Sequence, residues 1–238
     1  MRTILISGAS RGIGRSIAER AVEDGCRVSL GLRNLDDLKG TKLDPSISGQ
    51  DKILLSKYEA KDPENANKLV EQTVKHFGHF DTLIHCAGIF RKTELICPDS
   101  ELDQIDEIFK VNLMGPWLLT RASWNHLSDH GEGRIVALIS LSGKRSKGKL
   151  AGYTMSKFAL MGLCQTMRNE GWEKGIRVTA ICPGWVNTEM AAGVNSIPKG
   201  EMTQPEDIAS ITSNILKLPN SSVPFEISVN CTLEKEKF

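Results

Sequence analysis

The 238-residue chain contains no apolar run approaching the roughly 20 residues of a membrane-spanning helix, so it is not expected to cross a bilayer. It has almost no excess of charge: 30 Lys and Arg stand against 29 Asp and Glu, a net charge of +1. That leaves no bulk attraction to nucleic acid or to an anionic membrane surface. The six cysteines (26, 86, 97, 164, 182 and 231) include no C-x-x-C pair. Several lie in apolar runs, as Cys182 does, and they read as reduced core residues rather than metal ligands or a disulfide framework. The five histidines (76, 79, 85, 126 and 130) show no metal-ligand spacing, so no metal is expected. Repeats, low-complexity tracts and linkers are missing too. The first apolar run is only four or five residues long and leads into glycines, so no signal peptide is expected and the cytoplasm is the expected compartment.

What is present is a regular alternation of strand and helix patterns. Residues 3–7, 26–32, 53–55, 81–86, 134–140, 176–182 and 225–229 read as seven strands. Between them lie helical patterns. One starts at Asp62-Pro63, an N-cap followed by proline at the first helical position, with an apolar or small stripe at 66, 69, 70, 73, 74 and 77 and a stop at Gly78. Another covers 101–128, with an interruption expected near Gly115-Pro116. A third runs from Gly152 to Trp172. A fourth runs from Pro205 to Leu216, with apolar 208, 211 and 215. A polar stretch covers 33–51, and a charged tail ends the chain at 234–238. Strands alternating with helices predict an α/β fold: a doubly wound parallel sheet of about seven strands in a single domain, 1–238. Ligands of such sheets bind outside the carboxyl ends of the strands. Gly8, Arg33, Ala87, Ser140 and Pro183 all fall at such ends and are expected to share one cleft.

The element around which the rest is arranged comes first. The strand 3–7 breaks at Gly8-Ala-Ser10-Arg11-Gly12-Ile13-Gly14, and a helix follows with Ile13, Ile17 and Ala21 on one face. Gly8 lets the chain turn, Gly12 lets backbone approach a pyrophosphate, and Gly14 allows close helix–strand packing. The amides and positive dipole end of the new helix then face the anion. The spacing is G-x-x-x-G-x-G, and a structural turn is the plain alternative. Further along, Tyr153 and Lys157 lie four apart on one helix face. A free phenol has a pKa of about 10, and a neighbouring ammonium lowers it toward the range of proton transfer. Ser140 precedes Tyr153 at the end of the fifth strand, where its hydroxyl can hold a carbonyl or alcohol oxygen.

With these motifs in order, Gly8 to Gly14, Cys86-Ala87-Gly88, Asn112, Ser140, Tyr153-x-x-x-Lys157 and Pro183-Gly184-Trp-Val186-Asn-Thr188, the chain resembles the single-domain short-chain dehydrogenase/reductase family from Ile4 to about Val229. The resemblance implies hydride transfer between a nicotinamide cofactor and a small carbonyl or alcohol substrate. It implies Tyr153 as general acid/base, Lys157 lowering its pKa and holding the ribose, Ser140 orienting the substrate oxygen, and Asn112 supporting a water. The plain alternative for Asn112 is a helix residue satisfying nearby backbone. Pro183, Gly184, Val186 and Thr188 would meet the nicotinamide end and the pyrophosphate, with Cys86, Ala87 and Gly88 against the ribose and Glu59-Ala60 near the adenine.

Cofactor choice has a physical reading. An NAD site places an acid at the end of the second strand; here Leu32 is followed by Arg33 and Asn34, and Arg11 stands in the glycine turn. Two guanidinium groups suit a 2′-phosphate, so NADP(H) is expected in preference to NAD(H). The alternative has Arg33 as an exposed loop residue and Asp36 or Asp37 serving NAD. The family's usual Asn-Ala-Gly is Cys86-Ala-Gly88 here, and its glycine-rich last strand is Val223 to Asn230. A homodimer through the two long helices is therefore expected, which a buried Trp117 or Met161 would fit, as would plain core packing, and a tetramer is not assumed. The basic loop Gly143 to Lys149 borders the expected substrate entrance as either a solvated loop or a guide for an anionic substrate. Residues 189–203 read as a short substrate lid. A non-catalytic nucleotide sensor is the rival reading.

Overall fold

The computed structural model describes residues 1–129 and 131–233; His130 and the expected charged tail lie outside the described residues. Seven parallel strands form one sheet in the order β3-β2-β1-β4-β5-β6-β7. They are β1 (Thr3–Ser7), β2 (Arg27–Leu32), β3 (Ile53–Lys57), β4 (Thr82–His85), β5 (Arg134–Leu138), β6 (Arg177–Pro183) and β7 (Glu226–Val229). The helices are α1 (Gly12–Glu23), the single turn α2 (Pro45–Ser48), α3 (Pro63–Phe77), α4 (Leu102–Phe109), α5 (Gly115–Ser128), α6 (Ala151–Gly171) and α7 (Pro205–Lys217). The strand order reverses between β1 and β4, which opens a crevice at their carboxyl ends.

Alternation along the strands sends side chains to two cores. Leu5, Leu83, Ile135 and Val178 pack under α3, α5 and α6 with Leu69, Leu119 and Leu160. Ile4, Ile6, Val28 and Val136 pack under α1 and α7 with Ile17, Ile208 and Ile215. Each such side chain contributes about 1.5–3 kcal/mol, whereas an exposed ion pair contributes about 0–1 kcal/mol, so the two faces determine the fold. The caps expected for α3 are present: the Asp62 carboxylate accepts from Glu64 N, and Gly78 ends that helix at φ +79°. A Gln204–Asp207 capping box, which the sequence reading did not name, opens α7.

Boundaries shift by a residue or two: β2 starts at Arg27, β3 runs on to Lys57, and β5 stops at Leu138, so Ser140 stands two residues past its strand. The helix over 101–128 breaks one turn earlier than expected, as a π-helical turn at Lys110–Met114. Pro116 is the cause: it lacks the N–H that would bond the carbonyl of residue 112, and its ring would crowd that carbonyl. Gly115 serves a different need. A Cβ there would lie 2.8 Å from Ala60 O and 2.9 Å from Ala60 Cβ, where α5 crosses the loop after β3.

Candidate active site

The glycine turn is fitted to the wall opposite it. A Cβ on Gly8 would stand 2.6 Å from both Cα and N of Ala87, and Gly8 itself has φ +76°. A Cβ on Gly14 would reach 2.3 Å from Gly8 O and 3.0 Å from Cys86 Cβ. Across the crevice a Cβ on Gly12 would meet Thr188 Cγ2 at 3.2 Å. The start of α1 follows Arg11, whose side chain makes no capping bond to it. A narrow, Cβ-free cradle at an uncapped helix start fits the pyrophosphate of a dinucleotide. Ser10 and Ile13 lie within this turn.

The other half of the site comes from β5 and α6. Ser140 sits at φ 150°, a strained conformation for a residue with a side chain. Its Oγ accepts from Ser142 N at 3.1 Å, and Ser140 neighbours the Tyr153 phenol and acts to lower its pKa. Lys157 is only 5% exposed, and its Nζ donates to Leu138 O at 2.9 Å. The ammonium also lies over the Tyr153 ring, 5.7 Å from its centroid. Phe90 packs edge-on against that ring with centroids 5.0 Å apart. Asn112 is fully buried in the π-helical turn; its Oδ1 accepts from Ile89 N at 2.8 Å, and its Nδ2 donates to Ile89 O and to Ser156 Oγ. The two halves meet at Gly88, where a Cβ would stand 3.4 Å from Asn112 Oδ1 and 3.8 Å from Lys157 Nζ.

One expectation is corrected. The Tyr153 phenol is not lowered here but pushed up to about 12, by burial, with the Ser140 bond opposing. Lys157 is itself pushed down to about 8 by burial. The i, i+4 spacing places the two side chains on one helix face but says nothing of how deeply that face is buried.

The remaining residues lie where the topology puts them. Leu32 is buried at the end of β2, so no carboxylate occupies that place, and Arg33 and Asn34 follow it on the exposed rim. The Asn34 side chain accepts from Asp36 N, capping a short 3-10 helix that contains Asp36 and Asp37. Glu59 N donates to Asn65 Oδ1, and Ala60 is buried. Pro183 ends β6, and Gly184 N donates to Val229 O at 2.7 Å. Val186, three residues before segment 189–203, bridges to Thr203 at its end. Glu189 was missed by the sequence reading: its carboxylate pairs with Arg11, with the two side chains 72% and 64% exposed. The pairing spans 178 positions, and no local pattern announces it. In the basic loop Lys144 pairs with Glu226, and Lys149 with Glu94 at 3.7 Å, which offsets part of its charge. In the single chain Trp117 is 40% exposed, while Met161 belongs to the core. Among the described residues no helix is long and apolar enough to cross a membrane.

The family model described as short chain dehydrogenase matches residues 2–198. The chain belongs to the short-chain dehydrogenase family. That family carries out NAD(P)-dependent oxidoreductase chemistry. Two agropine synthesis reductases of Rhizobium rhizogenes are 36% and 34% identical to this chain over 97% of its length; it spans about half of each, 53%. An acetoacetyl-CoA reductase of Allochromatium vinosum is 29% identical over 88% of both chains. An alcohol dehydrogenase from the archaeon Thermococcus sibiricus, solved with 5-hydroxy-NADP, superposes with a TM-score of 0.88 at 25% identity over 100% of both chains.

Proposed function

We propose that the chain is an NADP(H)-dependent carbonyl reductase or alcohol dehydrogenase. The observation that carries this reading is the shared wall: Cys86 to Gly88 touches the glycine cradle on one side and the Asn112–Lys157 pair on the other. A dinucleotide held by Gly8, Ser10, Arg11, Gly12, Ile13 and Gly14 at one end, and by Lys157, Pro183, Gly184, Val186 and Thr188 at the other, therefore ends beside Tyr153. When bound, it supplies the hydride in reduction and accepts it in oxidation. In reduction Tyr153 Oη gives its proton to the substrate oxygen, Ser140 Oγ holds that oxygen, and Lys157 stabilises the phenolate left behind. Burial alone pushes the phenol up to about 12, so its acid role relies on Lys157 stabilising the phenolate as the proton leaves.

NADP(H) rather than NAD(H) is supported by the apolar Leu32 at the acid's usual place, with Arg33 beside it and Arg11 in the turn. Glu59 and Ala60 would face the adenine. Residues 189–203 serve as the substrate lid of a single domain spanning 1–238. The exposed Trp117, stacked under Arg121 at 5.2 Å, supports a homodimer through the outer faces of α5 and α6, and the expected setting is the cytoplasm. The test is NADPH consumption with a panel of ketones, aldehydes and acyl thioesters. Turnover on one class supports the enzyme; tight NADPH binding with no turnover on any favours a nucleotide sensor.

A further inference from the structure

The helix that carries Tyr153 and Lys157 begins without a cap of its own. Leu150 stands at the N-cap position of α6 and has no side-chain oxygen to offer its first amides. Those amides are taken by the loop that follows β4. Ala151 N donates to Thr93 O at 2.7 Å, and Gly152 N donates to Thr93 Oγ1 at 3.0 Å. Thr93 is fully buried. The joint is tight: a Cβ on Gly152 would stand 3.1 Å from Thr93 Oγ1 and 3.2 Å from Ile105 Cγ1. Elsewhere in this loop Ile89 holds the Asn112 amide and Phe90 stacks on the Tyr153 ring.

We propose that Thr93 is a positioning residue, capping α6 from outside the helix and so fixing where the Tyr153 phenol stands against Ser140. Tyr153 is the third residue of α6, within the turn whose amides Thr93 secures. An uncapped first turn frays, and a shift of about 1 Å at a reacting group lowers turnover by about 100-fold. The kinetic consequence rests on the proposed role of Tyr153; the placement does not.

The test compares Thr93→Val, which removes the hydroxyl and keeps the carbonyl, with Thr93→Ser, which keeps both. The chain has two tyrosines, Tyr58 and Tyr153. Labelling with tyrosine carrying 13C at Cζ therefore gives two resonances, assigned by Tyr153→Phe. Thr93→Val is expected to move the Tyr153 line and leave that of Tyr58, and Thr93→Ser to restore it. With acetoacetyl-CoA as the carbonyl probe, Thr93→Val should lower kcat about 10- to 100-fold while KM for NADPH stays within about 2-fold. An unmoved Tyr153 line in Thr93→Val, joint movement of both lines, or failure of Thr93→Ser to restore the Tyr153 line overturns the proposal. If the wild-type chain does not reduce the probe, the resonance still decides the placement, and the loss falls on the reading of acetoacetyl-CoA as a usable substrate. Should turnover survive Tyr153→Phe, the proposed acid role fails while the Thr93 cap is judged by its own signal.

Discussion

Replacing Lys157 with methionine removes a buried ammonium whose Nζ donates to Leu138 O at 2.9 Å. Burial pushes this group from its ordinary 10.5 down to about 8. The unfolded chain therefore binds more protons than the folded one between those values, so the stability tied to Lys157 rises with pH through that window and is lost as pH falls through 8. At pH 7 the penalty for holding the charged form amounts to about 3 kcal/mol. The variant escapes it but leaves the Leu138 carbonyl unpaired, at a cost of about 1–3 kcal/mol. The two nearly cancel, so stability at pH 7 alone is a poor readout. The pH slope is a clean one: between pH 7 and about pH 9.5 the wild-type chain should gain about 2 kcal/mol relative to Lys157→Met. Nearby Cys86, Cys164 and Cys182 are pushed up to about 12, 12 and 11, and Tyr153 to about 12, so they stay neutral across the interval. Urea unfolding of both proteins at the two pH values measures the difference. Equal slopes would refute the claim that Lys157 is held charged against a burial penalty.

Two further outcomes follow from the cofactor rim. Arg33→Ala should raise KM for NADPH about 10-fold or more and leave KM for NADH nearly unchanged, since only the 2′-phosphate needs the guanidinium; equal effects on both cofactors would defeat the assignment. Glu189→Gln frees Arg11 from an ion pair exposed on both sides, so unfolding free energy should change by less than about 1 kcal/mol, while KM for NADPH falls about 2- to 3-fold as Arg11 turns to the phosphate. A rise in that KM would show Glu189 supporting the cofactor site instead of competing for Arg11.

The glycine turn was legible because everything it needs is local: a strand, three glycines and a helix start lie within Thr3 to Glu23. The stripe of α3 and the alternation that gives the doubly wound sheet were legible for the same reason. The depth of the site was not. Tyr153 is raised rather than lowered because burial depends on α6 packing against β5 and the loop after β4, which no spacing encodes. Asn112 was reached only through the family resemblance, and its side chain indeed satisfies backbone, that of Ile89, 23 positions away. The interruption near Gly115-Pro116 was legible, but its π-helical form was not, because Pro116 acts on the turn before it rather than at its own position. Arg134 reads as an ordinary strand residue, yet it is buried and donates to Leu218 O at 2.9 Å, with burial pushing it down to about 10. Such pairings join distant segments and become visible only in the folded chain.

The central claim is that Tyr153 passes a proton while hydride moves between a nicotinamide and a carbonyl. Its most direct test is a single-turnover measurement of NADPH oxidation with Tyr153→Phe beside the wild-type chain, on whichever carbonyl the wild type reduces, with NADPH affinity measured in parallel. The account predicts unchanged NADPH binding and a rate at least about 100-fold lower. An undiminished rate in the variant would contradict it.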